Sequence, residues 1–370
     1  MRRALALARR GLGKTSPNPA VGAVLVRKGR VLGEGWHKKA GGPHAEVVAL
    51  GKAEDRRRKR GVRATSPTND LTLYVTLEPC STWGRTPPCT EAIIAAGVKR
   101  VVVAAHDRNP KHNGRGLEVL RRAGIRVEAG LLAEEAAGMN AGFNKWITTG
   151  MPLVIAKAGM SLDGKIATRT GDAKWITGEA ARREGHRLRA QVDAILVGAN
   201  TVTRDNPELT VRHEVRGQQP WRVVVDARGR VSRKAKIFRD AQRRRTLVLT
   251  TSLAPAAWRR YLSRMGVDAI VLPHKRGRVD LRAALKALGR RGITSVLAEG
   301  GGELLGSLFD ARLVDRVALF YAPIVIGGRG AVGAVAGEGV AKVGNAVRLR
   351  DCRWQRVGKD EMLLEASVAR

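Results

Sequence analysis

The fold class read from the sequence is α/β, in two domains that follow one another along the chain. Three observations carry it. The 370 residues exceed one ordinary domain and leave room for two buried cores. Short apolar runs alternate with helical stretches throughout, which is the signature of layered sheets and helices. A second series of strands opens after Met151-Pro152, and the boundary is set within several residues of that point, giving domains 1–147 and 148–370.

In the first half, Val21 to Val26 reads as a strand, Arg27-Lys28-Gly29-Arg30 as a turn, and Val31 to Trp36 as the returning hairpin strand. His44 to Lys52 is apolar at helical spacing. Leu71 to Leu77 is a strand, Thr90 to Ala96 a helix, and Arg100 to Ala105 a strand apolar on both faces, as a buried parallel strand requires. Leu117 to Arg122 and Ile125 to Glu128 add a helix and a strand. Glu54 to Asp70 is charged and turn-rich, and reads as a surface excursion.

The second half opens with the strand Leu153 to Lys157. Further strands are expected at Ala194 to Val197, Arg222 to Asp226, Thr246 to Thr250, Ala269 to Leu272, Ser295 to Ala298 and Val317 to Ile326, with helices between several of them. No repeat at solenoid or propeller periods is present.

Composition narrows the function classes. No run of eighteen apolar residues occurs, so no membrane partner is expected. Met1 to Lys14 is basic and free of acids, yet an apolar stretch that reads as domain core follows at once, which argues against a cleaved transit peptide. Three cysteines, Cys80, Cys89 and Cys352, are too few for a disulfide framework and fit a reducing compartment, the cytoplasm. Cys352 reads as a buried thiol without a role. The net charge of +35 is spread over both halves, with dense runs at Arg56 to Arg60 and Arg243 to Arg245. Aromatic residues are only 4% of the chain, too few for base-stacking platforms. The charge therefore reads as a solvated surface that gathers anionic substrates, with non-specific nucleic-acid adhesion but no specific nucleic-acid partner.

One constellation carries chemistry outright. His44-Ala45-Glu46 opens a helix after Gly41-Gly42-Pro43, Glu78-Pro79-Cys80 ends a strand, and Cys89 stands just before another helix. One imidazole and two thiolates make a three-ligand zinc site that leaves a fourth position for water. Glu46, two residues from His44, can reach that water as general acid and base without binding the metal. His-x-Glu with Pro-Cys is the pattern of zinc-dependent nucleobase deaminases, which replace an exocyclic amine by a carbonyl and release ammonia.

The motifs Pro17-Asn18-Pro19-Ala20-Val21-Gly22, His44-Ala45-Glu46, Thr76-Leu77-Glu78-Pro79-Cys80 and Gly84-Arg85-Thr86-Pro87-Pro88-Cys89 resemble those of the bifunctional riboflavin-biosynthesis deaminase/reductase family. The second half agrees independently through Ser161-Leu162-Asp163-Gly164-Lys165-Ile166-Ala167, Trp175-Ile176-Thr177, Arg189-Ala190-Gln191, Asp205-Asn206-Pro207, Leu209-Thr210-Val211-Arg212 and Glu299-Gly300-Gly301. The resemblance implies a cytidine-deaminase-like three-layer domain followed by a dihydrofolate-reductase-like α/β domain. It implies zinc-dependent deamination of 2,5-diamino-6-(5-phosphoribosylamino)pyrimidin-4(3H)-one, then NADPH reduction of the ribosyl to the ribityl phosphate. A homo-oligomer is expected.

By the same resemblance His44, Cys80 and Cys89 hold zinc, Glu46 carries the proton and Asn18 faces the pyrimidine. Gly159, Trp175, Thr201 and Asp205 match positions that touch NADPH, and Arg189, Leu209, Arg212 and Glu299 match positions that touch substrate. Two arginines suit a phosphate, which a guanidinium binds bidentately. Gly300-Gly301-Gly302 ends a strand and starts a helix, so the amides of Gly301 and Gly302 can approach a cofactor pyrophosphate; a turn needing positive φ explains the glycines equally well.

The sequence departs from the family pattern at Ser81-Thr82-Trp83, where a histidine pair is usual, at Ala173-Lys174, where a serine is usual, and at Asp107-Arg108. A nucleic-acid deaminase and a basic RNA-binding protein on a decayed enzyme scaffold are the alternatives. The eight-residue spacer Ser81 to Pro88, in place of Cys-x-x-Cys, and the second enzyme-like domain speak against the first. Bound zinc with turnover would speak against the second.

Overall fold

The chain divides into two compact units, Met1–Gly150 and Met151–Arg370, each built on one main sheet. The computed structural model describes residues 1–59, 70–84, 86–213, 215 and 217–369. Arg60, most of the expected surface excursion, and Arg85 of the second cysteine motif lie outside the described residues. Among the described residues, no helix is long and apolar enough to cross a membrane.

The first unit begins with helix α1 (Arg2–Arg9), an element the sequence reading does not place. Its arginines interrupt the apolar pattern, yet Ala4, Leu5, Leu7 and Ala8 fall on one face and are buried. Strands β1 (Gly22–Arg27) and β2 (Arg30–Trp36) form the expected hairpin, with Lys28 and Gly29 both at positive φ in its turn. Helix α2 (Ala45–Lys59) runs past Lys52 into the stretch expected as an excursion. Its polar end is an exposed helical face on which Glu54 pairs with Arg57 and Arg58.

Then come β3 (Leu71–Leu77), α3 (Cys89–Ala95), β4 (Arg100–Ala105), α4 (Arg115–Arg122), β5 (Arg126–Ala129), α5 (Ala133–Met139) and α6 (Ala141–Thr149). The sheet order is β2-β1-β3-β4-β5, antiparallel at β2-β1-β3 and parallel from β3 to β5. Ala23, Leu73, Val75, Val101 and Val103 pack with Ala49, Ile93 and Leu117 of α2, α3 and α4, whereas Leu77 and Ala104 pack with Leu5 of α1 and Ala136 of α5. The result is three layers. Helix α2 lies unusually close to β2, because a Cβ on Gly33 or Gly35 would fall 2.0 or 2.2 Å from the carbonyl oxygens of Ala49 and Ala45. That contact sets where the first turn of α2, and with it Glu46, stands.

The second unit holds β6 (Leu153–Ser161), β7 (Lys165–Ala167), α7 (Glu179–Gln191), β8 (Ala194–Gly198), α8 (Ala199–Asp205), β9 (Trp221–Val225), α9 (Lys236–Arg239), β10 (Thr246–Thr250), α10 (Ala256–Arg264) and β11 (Asp268–Val271). It continues through β12 (His274–Lys275), β13 (Arg278–Val279), α11 (Leu281–Arg290), β14 (Ser295–Ala298), α12 (Gly302–Asp310), β15 (Arg316–Ala322), β16 (Val332–Gly333), β17 (Leu349–Val357) and β18 (Glu361–Val368). The nine-stranded order is β11-β10-β9-β8-β14-β6-β15-β18-β17, parallel as far as β15 and antiparallel beyond it. Leu196, Val223, Leu247 and Val296 face one core, with Leu285, Leu288 and Leu305. Ile195, Val197, Val224 and Val248 face the other, with Phe238 and Trp258.

Three expectations are corrected here. Strand β15 stops at Ala322 rather than Ile326, because Pro323 has no N–H to continue a ladder. Strands β17 and β18 are additional. Cys352 is exposed, not buried: it lies on the outer strand β17, at the register shift between Arg350 and Arg353, where the solvent-facing pattern leaves it outside the core.

Candidate metal centre and reductase cleft

His44 precedes α2, Cys80 follows β3, and Cys89 is the first residue of α3. Their ligand atoms all lie within 4.8 Å of one another. His44 Nδ1 is 3.1 Å from Cys89 Sγ and 3.5 Å from Cys80 Sγ. Tetrahedral zinc, at about 2.1 Å from nitrogen and 2.3 Å from sulfur, needs ligand atoms roughly 3.5 Å apart, so the donor set and its spacing fit that ion. The two thiols share one proton: a hydrogen bond from Cys89, with help from His44, holds Cys80 down to about 4, and the same bond with burial pushes Cys89 up. The bond to Cys80 raises the His44 pKa. Glu46 is buried, and burial together with the Cys80 charge lifts its carboxyl to about 7.

Two residues that sequence reasoning did not single out complete the neighbourhood. Glu78 is buried, and its carboxylate accepts the amides of Asp107 at 3.2 Å, Gly114 at 2.9 Å and Gly116 at 3.0 Å, which anchors the turn that carries Cys80. His37 stands edge-on to His44, ring centroids 5.2 Å apart. Its Nδ1 is 3.1 Å from the Pro43 carbonyl and its Nε2 is 3.1 Å from Asn18 Nδ2. A carbonyl only accepts, so Nδ1 carries the proton and Nε2 accepts from Asn18. The signal available in sequence was only a histidine between a strand and the Gly-Pro turn. Trp83, at one of the departures from the family pattern, is 71% exposed.

In the second unit, a cleft of 1120 Å³ is lined by Ala173, Thr201, Asp205, Gly301 and Gly302 among others. Gly301 donates its N–H to Thr201 Oγ1 at 3.1 Å, joining the start of α12 to α8. The glycines answer to packing, not to a left-handed turn: a Cβ on Gly302 would fall 2.5 Å from the Gly333 carbonyl, and positive φ is not found at Gly300, Gly301 or Gly302. The cleft lining does not include Gly159 or Trp175. Gly159 lies on β6 facing Thr177, and Trp175 is exposed with the Arg182 guanidinium 4.5 Å from its ring centroid.

The expected substrate residues gather elsewhere. Arg189 makes a fork with Glu299, Nε to Oε1 at 2.8 Å and Nη2 to Oε2 at 2.7 Å, and gives Nη1 to the Thr210 carbonyl at 3.0 Å. Burial alone would raise the Glu299 pKa, but the Arg189 and Lys157 charges outweigh it and hold the carboxyl at about 2. Leu209 is buried with φ of 52°. Arg212 pairs with Glu208, and its amide donates to His186 Nδ1 at 2.9 Å. Burial first, then the charges of Arg189 and other neighbours, holds His186 down to about 4, so its ring is neutral at pH 7. Lys157 and His186 were not singled out from sequence. The motif beginning at Ser161 is a staple: the Asp163 carboxylate accepts from the Ser161 hydroxyl at 2.6 Å and from the amides of Ile326 and Gly327 at 3.0 and 2.8 Å.

Fold and site define the class as a zinc-dependent nucleobase deaminase joined to a reductase. The family description "Cytidine and deoxycytidylate deaminase zinc-binding region" matches residues 1–105, and "RibD C-terminal domain" matches residues 152–363. The chain is 40% identical to riboflavin biosynthesis protein RibD of Actinobacillus pleuropneumoniae, covering 98% of this chain and 93% of that one. It is 40% identical to RibD of Escherichia coli, covering 98% and 97%. Among solved structures, Acinetobacter baumannii RibD superposes with a TM-score of 0.86 at 36% identity, covering 100% of this chain and 98% of that one. A Thermotoga maritima protein described as a diaminohydroxyphosphoribosylaminopyrimidine deaminase/5-amino-6-(5-phosphoribosylamino)uracil reductase gives 0.84 at 35%, covering 100% and 97%. The chain belongs to the RibD family. It is a bifunctional enzyme that performs a deaminase and a reductase step of riboflavin biosynthesis, with zinc and NADPH as cofactors. The expected fold classes are borne out, and a non-enzymatic RNA-binding scaffold is set aside.

Proposed function

We propose that the first domain, 1–147, hydrolyses the 2-amino group of 2,5-diamino-6-(5-phosphoribosylamino)pyrimidin-4(3H)-one and that the second, 148–370, reduces the ribosyl of the product to ribityl with NADPH. The observation that carries this reading is the convergence of His44, Cys80 and Cys89 beside a buried Glu46 in a chain that also holds a large second cleft. The expectation of a cytoplasmic enzyme rests on the sparse cysteines, and that of a homo-oligomer on the family resemblance.

His44, Cys80 and Cys89 would hold zinc, which supplies a Lewis acid that lowers the pKa of a water. Glu46 takes a proton from that water and returns one to the departing amine, a role that suits a carboxyl lifted to about 7. The balance is one water consumed, one C–N bond broken, one carbonyl formed and one ammonia released. Asn18, with its amide nitrogen spent on His37, offers Oδ1 as an acceptor for a pyrimidine N–H.

In the second domain the cleft at Thr201, Asp205 and the amides of Gly301 and Gly302 fits a dinucleotide in size and in donors. NADPH supplies a hydride, which adds at the sugar C1 with a proton from solvent or a side chain. Glu299, held ionised by Arg189 and Lys157, accepts hydrogen bonds from sugar hydroxyls. Arg189 acts through Glu299, because its fork is already committed, and Arg212 is left to meet the substrate phosphate. The test is to incubate purified protein with the diaminopyrimidinone phosphate, with and without NADPH, and to follow ammonia and NADPH absorbance separately. Ammonia release without NADPH, followed by NADPH consumption on the deaminated product, is expected. Absence of ammonia from zinc-loaded protein would overturn the reading.

A further inference from the structure

The rim of the second unit's cleft carries many cations, and several are already neutralised. Lys275 pairs with Asp280 at 3.2 Å, Arg276 with Glu338 at 3.2 Å, and Arg278 with Glu303 at 3.4 Å. Arg228 and Arg230 line the same cleft, and among the described residues neither has a carboxylate partner. The Arg230 guanidinium touches Asn200 Oδ1 at 3.4 Å. An unpaired surface arginine is ordinary in a chain of this charge. Two of them on one ordered loop, both lining one cleft, call for a ligand argument.

That loop is held in shape. Asp226, buried just after β9, accepts the amides of Arg228 at 3.3 Å and Val231 at 2.8 Å. Gly229, between the two arginines, has φ of 68° and lies so close to the Trp258 ring that a Cβ would come within 3.0 Å of it. On the far side the Arg228 guanidinium packs on Gly277, where a Cβ would be 2.9 Å from Nη2.

The place of the loop in the sheet indicates the chemistry it meets. The Glu299 amide donates to the Leu196 carbonyl at 3.0 Å, and Gly198 pairs with Val225, so the carboxyl ends of β14, β8 and β9 stand side by side. Open α/β sheets bind ligands outside those ends. A pyrophosphate at the Gly301 and Gly302 amides would sit at β14, and β9 is two strands away, about 10 Å by strand spacing. The adenosine half of the dinucleotide, extended outward over β8, reaches the loop after β9.

We propose that Arg228 and Arg230 clamp the 2′-phosphate of the adenosine ribose and are the residues by which the cleft selects NADPH over NADH. The assignment rests on the reading that this cleft is the cofactor site. A phosphate monoester carries nearly two negative charges and three acceptor oxygens, which two guanidinium forks match. Arg204 also lines the cleft, but its charge falls on the neighbouring Asp205 carboxyl.

The experiment is calorimetric titration of the full chain, without pyrimidine, with NADPH, NADH and 2′,5′-ADP, for the wild type, Arg228→Ala, Arg230→Ala, Arg228→Lys and the double alanine variant. Both side chains are exposed, so the substitutions leave the core intact. Each alanine variant should weaken NADPH and 2′,5′-ADP by about tenfold or more, the scale of a charge-assisted hydrogen bond, and leave NADH within about twofold. Arg228→Lys should keep part of the affinity. A double variant that keeps the wild-type NADPH preference overturns the clamp and leaves the cofactor site standing. Equal weakening of NADPH and NADH also overturns it, since the arginines would then touch the shared pyrophosphate. A wild type that binds neither nucleotide overturns the cofactor-site reading and the clamp together.

Discussion

Arg189 and Glu299, 110 residues apart in sequence, meet in a two-bond fork in which both side chains are nearly inaccessible, 14% and 7% exposed. Such a pair is a liability when only one partner remains. Arg189→Ala should cost about 3 to 5 kcal/mol in urea unfolding, because it strands a buried carboxylate. The sign with pH follows from the depressed Glu299 pKa: the pair's contribution is present above the ordinary carboxylate value and fades as pH falls toward about 2. Stability of the variant should therefore depend less steeply on pH below about 4.5 than that of the wild type. Parallel acid-unfolding curves would refute this.

The metal assignment separates ligand from proton carrier. Cys80→Ser should lose zinc and deaminase turnover, whereas Glu46→Gln should keep zinc and lose turnover by a factor on the order of a hundred or more. Elemental analysis reads the first and ammonia release the second. Stoichiometric zinc in the Cys80→Ser, Cys89→Ser double variant would exclude these ligands. Reduction of pre-deaminated substrate should be spared in all three.

Glu78 touches no ligand atom in its hydrogen bonds yet holds the turn before Cys80. Glu78→Ala leaves the amides of Asp107, Gly114 and Gly116 without their acceptor, and should weaken zinc by about 10- to 100-fold, the usual effect of removing a group that orients ligands. Competition with a chelator measures it. Zinc affinity equal to the wild type would show that the turn keeps its shape unaided.

His186 titrates well below its ordinary value, to about 4. The unfolded chain binds a proton that the folded one refuses, so the penalty grows as pH falls from about 6.5 toward 4 and is absent above that window. His186→Gln should remove about 1 to 3 kcal/mol of this acid-side loss. Denaturation midpoints at pH 7.5 and 4.5 for both proteins give the comparison, and an unchanged difference between them would rule it out.

The parts of this architecture legible in sequence were those written in residue type and period. Strands such as Val101 to Ala105 announce themselves by apolar runs, and His44, Cys80 and Cys89 by chemistry that few other roles require. Helix α1 hides because arginines flank its buried Leu5 and Leu7, and β17 because Arg350 to Arg356 reads as surface. Glu78, His37 and His186 acquire their roles only from backbone groups far along the chain. Arg189 shows the same limit: sequence names a guanidinium at a position that meets substrate in relatives, but not the Glu299 that already occupies it.

The glycines of β2 carry a consequence for the deaminase centre. Where Gly33 and Gly35 lie, the carbonyls of Ala49 and Ala45 occupy the space a methyl group would take, so Glu46 owes its position partly to atoms that are missing from a strand with no polar part in the chemistry. A single methyl at Gly35 pushes on the residue next to the proton carrier. Loss of turnover could thus arise from a silent-looking alanine in a hairpin, with every ligand and every acid of the centre still in the sequence.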